Sequence, residues 1–175
     1  MEDEQWNREN GKQKQIPDDL QNANEDIDDQ PGYSDSDWAG SVDGMKNTSG
    51  YCFNFGSGYF SWCSKKQDIV AQSTAEAEFI VATAAVNQAL WLRKILNDLD
   101  LEQKGSIEVF VDNQAAIAIS HNPVFHRKTK HFNFRLYFLS EIQEGGKVKL
   151  LYYRSEEQIA DIFIKSFHVN RFEFL

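Results

Sequence analysis

Three strand-length segments follow one another before the first helix, and beyond it each strand is separated from the next by helix. YSDSDW (33–38), YCFNF (51–55) and YFSWCS (59–64) are short, rich in aromatic residues and bounded by turn residues. Pro31-Gly32 marks where the pattern begins and Gly40 the exit from the first strand. MKNTSGY reads as turn chemistry, and Gly56 and Gly58 as a hairpin turn. Tight turns give antiparallel pairs, whereas strands joined through helices pair parallel. A chain that does both is expected to form a mixed α/β sheet with helices on both faces.

The first helix is the strongest periodic signal. STAEAEFIVATAAVNQALWLRKILNDL (73–99) opens with Ser73 and Glu76 at capping-box spacing. Phe79, Ala82, Val86, Leu90 and Leu96 recur on one face, and the run of small residues from 82 to 85 suits close approach to a sheet. SIEVFVDN (106–113) reads as the fourth strand and QAAIAIS (114–120) as a short helix with Pro123 beyond it. FNFRLYFLSEIQE (132–144) reads as an amphipathic helix ended by Gly145 and Gly146. KVKLLYYR (147–154) is the fifth strand, and Lys147 and Lys149 suit an outer position. SEEQIADIFIKSF (155–167) reads as a last helix, with Ser155 as N-cap.

The formal net charge of −9 is unevenly spread: residues 1–30 hold ten acids and three bases. That stretch has one aromatic residue, Trp6, and too little apolar surface to offset chain entropy, so it is expected to be a disordered acidic leader. Residues 31–175 form the expected folded domain. The start, MEDEQW, has no features of a signal or transit peptide, and no uninterrupted apolar run reaches membrane-spanning length. The expectation is an intracellular protein without a membrane partner. Cys52 and Cys63 match no metal spacing and read as reduced thiols.

Against this background the acids stand out. Asp35 and Asp37 share a strand, where side chains two apart point the same way. Glu78 lies one turn into the long helix, Asp112 ends the fourth strand, and Asp161 sits among Ile159, Ala160, Ile162 and Phe163. Acids in apolar settings are expensive unless paired or bound to a cation. With no His or Cys in ligand spacing, an all-oxygen set favours Mg²⁺ or Mn²⁺, and such sites commonly serve phosphoryl transfer or hydrolysis. Three of these acids also have a plainer explanation. Asp37 could cap a turn, Asp112-Asn113 could cap the following helix, and Asp161 could be an exposed helix residue. Glu76 is better explained by the capping box. Glu78, rotated about 200° from it around the helix, is free to face elsewhere.

YSDSDWAG, NTSGY, SWCSKKQ, STAEAEF, LWLRKIL, VDNQAAI, NPVFHRKTKH and QIADIF resemble, in order, the ribonuclease H domain of copia-type retrotransposon polyproteins. The resemblance covers roughly residues 31–175. It implies the ribonuclease H-like fold, a mixed five-stranded sheet of order 3-2-1-4-5. It also implies endonucleolytic hydrolysis of the RNA strand of an RNA–DNA hybrid, with two Mg²⁺ or Mn²⁺ ions and no small-molecule cofactor. On the family pattern the four metal-holding carboxylates fall on Asp35, Glu78, Asp112 and Asp161. Asp37 and Glu76 become neighbours of the site, not ligands. The implied partners are the hybrid and the reverse transcriptase and integrase modules of a parent element, in the cytoplasm within a virus-like particle or in the nucleus. Asn133, Tyr137, Ile164 and Met45 depart from the family's usual residues, and none of them is a proposed ligand.

A hybrid-binding face requires bases against phosphates. The candidates are Lys65 and Lys66 before the long helix, and His126, Arg127, Lys128, Lys130 and His131 after the short one. Asn113 and Gln114 follow Asp112 and are placed to meet sugar hydroxyls. Two alternatives remain at this level. One is a catalytically inactive relic or domesticated binding module of the same fold. The other, weaker one is a glycosyltransferase-like use of the D-x-D pair, without a nucleotide-binding unit to support it.

Overall fold

The computed structural model describes residues 31–37, 46–55, 58–121 and 130–165. Five strands, β1 (Gly32–Asp37), β2 (Thr48–Phe55), β3 (Gly58–Lys66), β4 (Ile107–Val111) and β5 (Val148–Tyr152), form one sheet of order β3-β2-β1-β4-β5. The hairpin-linked strands pair antiparallel, and β1–β4 and β4–β5 pair parallel. The mixed sheet expected from the connections is therefore the one found, with β1 at its centre. The acidic leader, Gly40, Met45, Gly56 and Pro123 lie outside the described residues.

Among the described residues three α-helices, α1 (Thr74–Asp98), α2 (Gln114–His121) and α3 (Lys130–Glu144), pack with the sheet around one core. Phe79, Ala82, Ala85 and Val86 of α1 meet Ile107, Val109 and Val111 of β4 and Val148 and Leu150 of β5. Leu136 and Leu139 of α3 join them, and the Phe79 and Phe132 rings lie 5.1 Å apart. By length and composition α1 could cross a membrane, but its Ala77, Phe79, Ile80, Ala82, Ala85, Val86 and Ala89 are buried in this core. The register places Tyr33 and Phe110 opposite one another, on the sheet face away from α1. Their stacked rings, with Tyr153, form a smaller aromatic layer there.

Helix ends follow their local chemistry. Ser73 caps α1 by accepting from the Glu76 N–H at 3.2 Å. The Glu76 carboxylate reaches back one residue further than in a simple capping box, accepting from the Gln72 N–H at 3.0 Å. α1 and α3 both end in Schellman motifs. Leu101 N–H reaches Leu96 O and Asp100 N–H reaches Asn97 O; Lys147 N–H reaches Ile142 O and Gly146 N–H reaches Gln143 O. The left-handed position is Gly146 in α3 but Asp100, at φ 60°, in α1.

The expected last helix is corrected. Over the described part of that segment the chain forms two 3-10 turns, Ser155–Glu157 and Ile159–Phe163, separated by the extended backbone of Gln158. The reason is tertiary. The buried Gln158 amide donates to Ser34 O at 3.1 Å and Phe110 O at 3.4 Å, while its carbonyl oxygen accepts from Ala160 N–H at 3.3 Å. A continuous helix would withdraw that side chain from the seam between β1 and β4. The second turn also lies directly on Gly50 of β2: a Cβ there would stand 2.7 Å from Ile164 Cγ2 and 3.0 Å from Ala160 O. Only glycine permits so close an approach. Cys52 and Cys63 are free thiols; the pairing of Cys52 with Trp62 and of Tyr51 with Cys63 puts them on opposite sheet faces.

Candidate metal centre

Three elements bring acids to one end of β1. Asp35 comes from β1, Glu78 from the second turn of α1 and Asp112 from the residue after β4. One carboxylate oxygen from each lies within 4.8 Å of the others. The placement of α1 is set by a second buried amide. Gln67 Nε2 donates to Ala77 O at 3.1 Å, Ser49 Oγ at 3.0 Å and Ser36 Oγ at 3.2 Å, tying the start of the helix to β1 and β2. The Ser36 N–H then donates to Glu78 Oε1 at 2.9 Å and to Asp35 Oδ1 at 2.7 Å. Ser155 Oγ donates to Asp112 Oδ2 at 2.8 Å.

Asp161, on the second 3-10 turn, is buried and in hydrogen-bonding contact with Asp35. Its Oδ1 also pairs with Lys165 Nζ at 2.7 Å. Asp37 lines the same cavity, of about 450 Å³, but is half-buried and contributes no oxygen to the cluster of three. The strand alternation that puts Asp35 and Asp37 on one side is thus resolved by depth: β1 runs outward, and Asp35 is the inner of the two.

The electrostatics record the crowding. Burial first, then the Asp112 and Asp161 carboxylates, push Asp35 up to about 7. Burial and the nearby Asp35 and Asp112 raise Glu78 well above the usual carboxylate range, against the pull of the Ser36 N–H. For Lys165, burial favours the neutral amine, but the Asp161, Asp35 and Asp37 carboxylates outweigh it and raise the ammonium's value. Glu78 Oε2 is buried with no hydrogen-bond partner. A crowded oxygen-only set with an orphaned buried carboxylate oxygen fits a hard divalent cation.

The remaining expected residues divide. Asn113 lines the cavity, yet its Oδ1 caps α2 by accepting from Ala116 N–H at 3.1 Å, which leaves Asp112 free of that role. Gln114 is exposed at the first residue of α2. Glu76 is committed to Gln72 and contributes nothing to the three-acid cluster. Lys65 and Lys66 line a separate cavity of about 150 Å³ beside Arg135 of α3, a base absent from the sequence-based expectation. Lys65 also lies 3.5 Å from Asp68. His126, Arg127 and Lys128 lie outside the described residues, as do the side chains of Lys130 and His131. Trp62 and Trp91 are largely exposed.

Sequence reasoning also missed Gln158, Gln67 and Lys165, and read Ser155 as an N-cap, a position that Arg154 occupies instead. For Lys165 a signal existed: it stands four residues after Asp161, a spacing at which opposite charges meet.

No family model matches the chain. Over 142 residues, 81% of its length, it is 40% identical to the retrovirus-related Pol polyprotein from transposon TNT 1-94 of Nicotiana tabacum. Over 133 residues it is 32% identical to the corresponding polyprotein from transposon RE2 of Arabidopsis thaliana. The chain is homologous to a segment of retrotransposon Pol polyproteins. It spans about a tenth of the length of these relatives, 11% of the first and 9% of the second. The fold is that of ribonuclease H: LC11 ribonuclease H1, solved in complex with an RNA/DNA hybrid, superposes with a TM-score of 0.52 at 14% identity. That match covers 77% of this chain and 93% of the other. In this Pol-related chain, as expected from the resemblance, the order 3-2-1-4-5 carries acids at the end of the central strand and its parallel neighbour.

Proposed function

We propose that the chain is a divalent-metal-dependent ribonuclease of the ribonuclease H type, derived from a retrotransposon, that hydrolyses the RNA strand of RNA–DNA hybrids. The observation that carries this reading is the convergence of Asp35, Glu78 and Asp112 within 4.8 Å in a ribonuclease H fold. Asp35, Glu78 and Asp112, with Asp161 against Asp35, would hold Mg²⁺ or Mn²⁺, in a two-ion arrangement. When bound, the ions supply the charge that activates water and steadies the leaving oxygen at phosphorus.

The protein's own groups do the positioning. The Ser36 N–H fixes one oxygen of Glu78 and leaves Oε2 buried without a hydrogen-bond partner. The Ser155 hydroxyl holds Oδ2 of Asp112. Asp35 is buried on the central strand. Bases gathered by Lys65, Lys66 and Arg135 would meet the hybrid backbone, with the segment 126–131 as a second contact. Reverse transcriptase and integrase modules of a parent polyprotein are the proposed partners, and the cytoplasm or nucleus the proposed compartment.

The test is cleavage of a labelled hybrid in Mg²⁺ by the whole chain and by Asp35→Asn, Glu78→Gln and Asp112→Asn. Each substitution is expected to lower the rate at least about a hundredfold while leaving the fold intact. Hybrid binding without cleavage in Mg²⁺ or Mn²⁺ would replace this reading with that of an inactive binding module.

A further inference from the structure

The four acids are not equivalent. Asp35, Glu78 and Asp112 bring their oxygens together, Glu78 Oε2 has no hydrogen-bond partner, and Lys165 lines the same cavity. Asp161 lies against Asp35 and already has a cation beside it, the Lys165 ammonium at 2.7 Å. The side chains of this pair differ in access: Asp161 is 6% exposed and Lys165 51%. Lys165 therefore reaches from the more exposed side of the cavity on a flexible stem onto a buried acid.

We propose that Lys165 is a built-in cation for the Asp161 side of the site. The first divalent ion binds among Asp35, Glu78 and Asp112 with Lys165 in place, and a second binds only by displacing the Lys165 ammonium. This rests on the reading of the acids as a divalent-ion site. The physical reason is competition for one carboxylate pair. An ammonium brings one charge and a divalent ion two, and in the confined space beside Asp35 both cannot be held without mutual repulsion. The number of bound ions then becomes graded by metal concentration, and Lys165 sets the threshold.

The test is calorimetric titration of the full chain with Mn²⁺, with free Mn²⁺ counted by electron paramagnetic resonance. The native protein is compared with Lys165→Met and Lys165→Arg. In Lys165→Met the second ion is expected to bind about tenfold more tightly or better, with the first unchanged within about twofold. Lys165→Arg, which keeps the charge, is expected to retain the native second constant. Native constants for both ions in Lys165→Met would overturn the proposal. Should that variant not fold, the ¹³C-labelled lysine signals of the native protein decide. The Lys165 resonance is expected to move with the second equivalent of Mg²⁺. Movement with the first equivalent, or none, overturns the proposal. Absence of Mn²⁺ binding by every form would sink the metal-site reading itself, a different result from two equal ions in all forms.

Discussion

At the scale of single residues, what separates Asp35 from Asp37 is company. Asp35 is 5% exposed, shares the Ser36 N–H with Glu78 and touches Asp161. Asp37 lies at the end of the strand and lines the cavity without joining the three-acid cluster. Asp37→Asn is expected to keep hybrid cleavage within about tenfold of the native rate, where Asp35→Asn abolishes it. Equal losses in a side-by-side kinetic assay would erase the distinction. Gln158 offers a sharper structural test. Removing its amide leaves Ser34 O and Phe110 O without that donor and loosens the turn bearing Asp161. Gln158→Ala is expected to lower unfolding free energy by about 1–3 kcal/mol in urea melts, and to weaken Mn²⁺ binding as well. The candidate acids were legible because charged residues in apolar segments are conspicuous in any sequence. Gln158 and Gln67 were not, because a glutamine's importance lies in carbonyls and hydroxyls that only the fold brings to it.

At the scale of elements, strands and long helices were legible wherever periodicity ran over several turns or a full strand. The last segment was not. SEEQIADIF has good helix formers and a plausible cap, yet it forms two 3-10 turns because Gln158 and Gly50 reward a chain that stays close to the sheet. Local preference was overridden by contacts from residues over a hundred positions earlier, such as Ser34. Gly50→Ala is expected to push this turn outward and destabilise the fold by about 1–3 kcal/mol. The two Schellman ends make a contrasting case. Asp100 holds the left-handed conformation that Gly146 adopts without strain. Asp100→Gly is expected to raise stability by up to about 1 kcal/mol, read as an increase in Tm. A fall in Tm would show that the Asp100 side chain contributes more than its backbone strain removes.

At the scale of the whole molecule, the crowded acids link stability to pH. Asp35 is pushed from 3.8 up to about 7, and Glu78 is raised in the same direction. Without metal, the folded protein then holds more protons than the unfolded chain between about pH 4 and 7. Their contribution to stability is complete at the acid end of that window and is lost as pH rises through it. Melts in EDTA are expected to show falling Tm toward neutral pH, and saturating Mg²⁺ to flatten or reverse the trend, because the ion replaces the protons. A Tm in EDTA that climbs through the same window would contradict this account.

The wide spacing of the acids along the chain has a further consequence. Asp35, Glu78, Asp112 and Asp161 come from four separate elements, and Lys165 follows the last of them. On a ribosome, a growing chain carries the central strand and its acids long before the segment that completes the cavity has been made. No nascent fragment that ends before Asp161 holds the full set. The four acids can therefore come together only once Asp161 has emerged and docked, and a fragment cut before it would carry a partial acidic cluster.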